Sequence, residues 1–132
     1  MRCYLSILLF LLLLAPAKAQ PKYEVRAAWV TAVYGLDWPR TKATTPTAIR
    51  RQQEELTDIL DKLKAANFNT ILFQTRTRGD VLYHSSIEPY NSILTGKVDG
   101  DPGYDPLAFA VRECHKRGME CHAWMVAIPL GN

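Results

Sequence analysis

Three carboxylates, Asp37, Asp80 and Glu88, stand just beyond apolar runs of this sequence, and Arg76 and Arg78 stand close to one of them. A pair of Asp or Glu groups, one acting as acid and one as base or nucleophile, can split a glycosidic bond. No spacing marks any two of the three as such a pair, and the catalytic acids are left unassigned. The run Arg76-x-Arg78-Gly79-Asp80 has two readings. It is a self-satisfied cluster, because a buried arginine needs a carboxylate, or it is a rim of donors and one acceptor for hydroxyl or acidic groups of a ligand. Trp38, Tyr83, Tyr90 and Trp124 can pack, or can offer a face to the C–H side of a sugar ring. His122 reads first as a hydrogen-bonded histidine of the core and only second as a base.

Elements must hold these groups in place. Glu24 to Val33 reads as a mostly buried strand. It breaks at Tyr34-Gly35-Leu36-Asp37-Trp38-Pro39. Thr45 as cap and Pro46 at the first position open a helix. Ile49, Leu56, Ile59, Leu60 and Leu63 give its apolar face, and Arg50, Arg51, Glu54, Glu55, Asp58, Asp61, Lys62 and Lys64 its solvated side. Asn67 is placed to end it in a left-handed conformation. Thr70 to Thr75 is the second strand, after which Arg76 to Tyr104 runs as a loop far longer than the usual ~4–6 residues. Asp105-Pro106 starts a second helix with Leu107, Ala110, Val111 and Cys114 inward, and Gly118 stops it. Glu120 to Val126 is the third strand.

Apolar strands alternating with helices predict parallel pairing through right-handed crossovers. An open doubly wound sheet and a (β/α)8 barrel both fit. No GxGxxG or phosphate loop follows a strand, which argues against dinucleotide binding. A complete barrel takes about 250 residues, so the expectation is a partial barrel, its first three strands and two helices. Such an N-terminal fragment is expected to be marginal or aggregating on its own. Sites in α/β folds lie at the carboxyl ends of strands, which is where the candidate residues fall.

The 132 residues are 48% hydrophobic and 22% charged, an ordinary balance for one small domain. Met1-Arg2, the largely apolar run Leu5 to Leu14 and Ala15 to Ala19 read as a secretory leader cut after Ala19. That run is short of the roughly 20 residues that cross a bilayer. The expectation is therefore an exported chain (periplasmic, cell-envelope or secreted) with no stable membrane span after cleavage, and with residues 20–132 as one truncated domain. Arg2 and Lys18 leave with the leader, which brings the formal charge of +3 close to neutral. No clustered basic face points to nucleic acid. Cys114 and Cys121 read as buried thiols. Export leaves a disulfide open. A zinc site is disfavoured, because Cys114-His115 and Cys121-His122 do not follow the usual ligand spacings.

Several motifs, taken in order, resemble one family. These are Trp29 with Asp37-Trp38-Pro39, Gln74-x-Arg76-x-Arg78-Gly79-Asp80, Gly103-Tyr104-Asp105-Pro106-Leu107, and His122-Ala123-Trp124. Together, over roughly Tyr23 to Trp124, they resemble the glycosyl-hydrolase-like 10 family. The resemblance implies an exported bacterial (β/α)8-barrel glycosidase acting on bacterial-wall or related polysaccharide. One branch of the family cleaves peptidoglycan glycan strands that have lost their stem peptides. It implies Asp37, Arg76, Arg78, Asp80, Tyr83, His122 and Trp124 as cleft-lining residues. No cofactor and no metal are expected. Two departures stand out. Met125 to Pro129 replaces the family's usual Asn-Pro-Tyr-Arg continuation, which suggests a separate branch. The later Asp-rich motifs, the best candidates for the catalytic acids, have no counterpart before Asn132, so the chain alone is expected to be inactive. A non-catalytic carbohydrate-binding protein is the rival reading, and an open nucleotide-binding domain a distant third.

Overall fold

The structure, a computed structural model, describes residues 23–128. The expected leader, its cut after Ala19 and Cys3 lie outside the described residues. The elements are β1 (Ala27–Val30), a 3-10 turn (Val33–Gly35), α1 (Pro46–Ala65), β2 (Thr70–Arg76), α2 (Pro106–Lys116) and β3 (Glu120–Met125). β1 pairs with β2 and β2 with β3, both in parallel, so sheet order follows chain order. Crossovers between parallel strands in sequential order, of the one hand that such connections take, put both helices on one face of the sheet.

That face is the core. Val30, Ile71 and Phe73 from the strands meet Leu56 and Leu60 of α1 and Phe109, Ala110 and Cys114 of α2. Fully burying each such large side chain stabilises by about 1.5–3 kcal/mol. Trp29, Leu72, His122 and Trp124 share the opposite face, where Trp29 remains 59% exposed. A parallel α/β sheet with its helices gathered on one side is compatible with part of a barrel.

The helix boundaries follow the expected local chemistry. Thr45 Oγ1 accepts from Ala48 N at 3.1 Å, and Asp105 Oδ1 accepts from Ala108 N at 2.9 Å, each ahead of a proline at the first helical position. Asn67 takes φ 63° and Gly118 φ 61° just past the two helix ends, where a left-handed residue lets the chain leave the helix.

Two expectations need correction. β1 is four residues long, not the ten of Glu24 to Val33. Its start is displaced because Arg26 N bonds Asn69 Oδ1 instead of a ladder carbonyl, and its end because the amides of Ala32 and Val33 turn to the side chain of Gln74. Glu55 does not belong to the solvated side of α1. Its carboxylate accepts from Arg40 N at 3.0 Å, Thr41 N at 3.2 Å and Thr41 Oγ1 at 2.5 Å, and so fastens the segment that leads into the helix.

The long loop after β2 has no helix, as expected, but it is built inward. Val81, Leu82 and Leu94 are fully buried. Val81 bridges Arg76 on one side and Tyr90 on the other, and Leu82 N donates to Thr75 O at 2.8 Å. Gln52 of α1 organises the loop's underside. Its Nε2 donates to the carbonyls of Thr41 (2.6 Å) and Leu94 (2.9 Å), and its Oε1 accepts from Tyr104 OH at 2.6 Å. That bond lies in a buried setting which, together with the Glu55 charge, raises the Tyr104 phenol far above its usual value.

Candidate functional site

The carboxyl ends of β1 and β2 form one continuous surface. After β1, Asp37 Oδ2 accepts from Thr31 N at 2.7 Å, while Thr31 O receives the amides of Asp37 and Trp38. This closes a tight turn that thrusts out Tyr34, 75% exposed and at φ 57°. Trp38 anchors the turn from below. It is fully buried, its Nε1 donates to Gln52 O at 2.8 Å, and its ring lies 5.6 Å from that of Phe73. Gln74 supports the turn from β2, where its Oε1 accepts from Ala32 N at 2.8 Å and Val33 N at 2.9 Å.

Arg76 ends β2 and is a clamp. Its Nε and Nη2 hold both oxygens of Glu88 at 2.6–2.9 Å, and its Nη1 donates to the carbonyls of Val126 and Ala127. One guanidinium thus ties the β2 exit loop to the chain leaving β3. The bonds to Arg76 hold the Glu88 carboxyl below its usual range, and those to Glu88 raise Arg76 further. Tyr83 and Asp80 lie within electrostatic reach of the clamp. Of the two readings of Arg76, Arg78 and Asp80, the self-satisfied cluster does not hold for Arg76, whose partner is Glu88, twelve residues on.

Asp80 closes the next turn. Its Oδ1 accepts from Thr77 Oγ1 and from Arg78 N (3.2 Å), and its carbonyl accepts from Thr77 N, with Gly79 at φ 84° supplying the reversal. The strand ends at Arg76, so Arg78 does not continue its alternation. Arg78 instead turns toward β1. Its Nη2 donates to Tyr34 OH at 3.2 Å, and its guanidinium lies 5.9 Å from the centre of the Tyr34 ring.

Between these turns lies a cleft of about 340 Å³ lined by Tyr34, Lys42, Thr77, Arg78, Asp80 and Asn91, among others. Lys42 Nζ donates to Ile93 O at 2.7 Å, and burial lowers its pKa from the ordinary lysine value. Asn91 is nearly buried and fixed at both ends of its amide: Nδ2 donates to Thr77 Oγ1 at 2.8 Å and Oδ1 accepts from Ile93 N at 2.7 Å. The wall thus offers a phenol, a guanidinium and an ammonium on a rigid rim, a set suited to hydroxyl-rich or acidic groups.

The seven sequence candidates divide. Arg78 and Asp80 line the cleft. Arg76 and Tyr83 stand beside it at the clamp, and Asp37 shapes the β1 turn. His122 and Trp124 belong to the open sheet face. There Trp124 meets Trp29 edge-on, with centroids 4.7 Å apart and planes at 87°, across the intervening β2. His122 Nε2 lies 3.0 Å from Glu120 Oε2. The three strand-end carboxylates each serve a hydrogen-bond role, so no unengaged acid pair faces the cleft among the described residues. Nor does any group of three His, Cys, Asp or Glu gather as for a metal among the described residues. Sequence reasoning missed Tyr34, Lys42 and Asn91. Only Tyr34 carried a signal, through its place before Gly35 in a chain-breaking stretch; the other two are brought in by the loop's packing.

Comparison with known proteins gives a consistent result. The profile of the glycosyl hydrolase-like 10 family matches residues 24–130. Glycosyl hydrolase YngK of Bacillus subtilis is 39% identical over 108 residues, covering 82% of this chain and 21% of that protein. Glycosyl hydrolase DigH of Escherichia coli K12, and likewise that of Shigella flexneri, is 41% identical over 114 residues, covering 83% of this chain and 26% of its own length. The chain spans between a fifth and just over a quarter of the curated relatives it matches.

Proposed function

The chain belongs to the glycosyl hydrolase-like 10 family, and on that premise we propose that it supplies the first three strands of a secreted (β/α)8-barrel glycosidase. The substrate is a bacterial-wall or related polysaccharide, and peptidoglycan glycan strands are the first candidate. Hydrolysis runs by general acid–base chemistry across two carboxylates that other parts of the barrel contribute. In this proposal residues 1–19 are an export leader and residues 20–132 the N-terminal part of the barrel domain. The role of the present residues is to bind and orient.

One observation supports this reading above the rest: the strand-exit wall of Tyr34, Arg78 and Lys42, held by the Gln74 and Arg76 networks. The open sheet face with its Trp29–Trp124 pair agrees with it, since an inward barrel face must be covered by further strands. No helix of the described residues is long and apolar enough to cross a membrane. The test is release of reducing ends from purified glycan strands by the protein that carries this segment. Arg78→Ala is expected to raise KM more than it lowers kcat, because the residue acts in binding. Equal loss in kcat alone would contradict a binding role.

A second reading has its own support. Because Asp37, Asp80 and Glu88 are all engaged, the segment can bind glycan without cleaving it. Retained glycan affinity with no hydrolysis by the complete protein would favour a non-catalytic carbohydrate-binding protein.

A further inference from the structure

Two side chains singled out in the sequence take no part in the wall described above. Cys114 lies in the last turn of α2 and is fully buried, and Cys121 is the second residue of β3 and is partly buried. The chain between them folds back sharply. Arg117 N and Met119 N both donate to Cys114 O at 3.0 Å, and Gly118 N donates to His115 O at 3.0 Å. Cys121 stands opposite Ile71 in the ladder, and Ile71 is fully buried on the helix side of the sheet. Cys121 therefore points toward α2, where it packs against the cluster that contains Cys114. Cys114 and Cys121 each shift the ionisation of the other, as neighbouring thiols do. A helix end and a strand joined by this tight turn thus bring two free thiols to the same layer of the core, the placement from which a disulfide can close.

We infer that Cys114 and Cys121 form a disulfide-forming pair that links the end of α2 covalently to β3 when the protein meets an oxidant of the disulfide class. The inference does not depend on the glycan reading.

The environment sets the order of events. The neighbouring Cys114 lowers the pKa of Cys121, while Cys121 and burial push the Cys114 thiol up. Arg117 and Glu113 act on Cys114 in opposite senses. Cys121, the more exposed of the two, attacks first. Its thiolate displaces one thiolate from the external disulfide, forming a mixed disulfide as the donor S–S bond breaks. Cys114 then gives its proton to the released thiolate, and its sulfur attacks that of Cys121. The new S–S bond expels the second donor thiolate. Two electrons pass from the cysteine pair to the donor, which ends as two thiols.

The test uses the purified, natively folded complete protein, in which the Cys114 and Cys121 thiols are followed by the masses of their own peptides. It is incubated with oxidised glutathione, alkylated with N-ethylmaleimide and digested with trypsin, which cuts after Lys116 and Arg117. The expected result is joint loss of both thiols and a linked peptide pair carrying Cys114 and Cys121, both reversed by dithiothreitol. C114S should stop at a stable glutathione adduct on Cys121, and C121S should give no adduct. Full alkylation of both thiols after oxidant, or a wild-type adduct that never resolves, overturns the inference. Should C114S fail to fold, the wild-type linked peptide decides the matter without it.

Discussion

Replacing Gln74 by Met is expected to release the β1 exit, and the size of the effect follows from two hydrogen bonds. Gln74 is 3% exposed, and its Oε1 accepts from Ala32 N at 2.8 Å and Val33 N at 2.9 Å. Met keeps most of the volume and removes the acceptor. Ala32 is fully buried, so its orphaned amide bears the full desolvation cost, about 1–3 kcal/mol. Val33 is partly exposed, so water can replace its bond and the net cost is about 0.5–1.5 kcal/mol. The sum centres near 3 kcal/mol, equivalent to roughly a hundredfold at ~1.4 kcal/mol per tenfold. The assay is amide hydrogen exchange by mass spectrometry on a peptide covering Ala32 and Val33, with exchange about a hundredfold faster in Gln74→Met than in wild type. Gln74→Glu keeps an acceptor oxygen at the same reach and should restore much of the protection. Unchanged exchange in the Met variant would refute the view that Gln74 holds the Tyr34 turn in place.

Arg76→Lys retains the charge but not the fork, so it cannot hold Glu88 and the carbonyls of Val126 and Ala127 together. Limited proteolysis should cut near the exposed Ile87 faster than in wild type. Glu88 and Glu113 both have folded-state pKa values below the ordinary 4.5, through bonds to Arg76 and to Lys116 and Arg117 respectively. Their stabilisation is therefore complete above pH 4.5 and is lost as pH falls through the depressed folded values. Thermal melting across that acid range should be flatter in Glu88→Gln than in wild type. Leu60→Ala removes a fully buried side chain between α1 and the sheet and should cost about 2–5 kcal/mol by urea denaturation of the complete protein. Residues 20–132 alone should show no cooperative thermal transition, given the exposure of Trp29 and the open face around it.

The elements were legible where short-range rules decide them. Thr45-Pro46 and Asp105-Pro106 announced both helix starts, and Asn67 and Gly118 both ends. The parallel order of the sheet followed from apolar strands alternating with helices. What stayed hidden depends on contacts distant in sequence. The partner of Arg76 is in mid-loop, Gln52 carries no local signal of its three distant bonds, and Lys42 and Asn91 line one cleft only because the loop after β2 packs on α1. Asp37 and Asp80 were visible as strand-end carboxylates. Their hydrogen bonds to Thr31 N and to the Thr77–Arg78 turn show that they shape turns. A local sequence pattern gives a residue's type and place, whereas its task depends on which backbone amides fold back toward it.

The most direct test of the central claim measures initial rates of reducing-end release from purified peptidoglycan glycan strands, using the complete protein that carries this segment, as wild type and as Arg78→Ala. Hydrolysis by the wild type, with a raised KM and a largely preserved kcat in the variant, is the predicted result. No release from any glycan tested, or a variant indistinguishable from wild type, would contradict the assignment of this wall to substrate binding in a glycosidase.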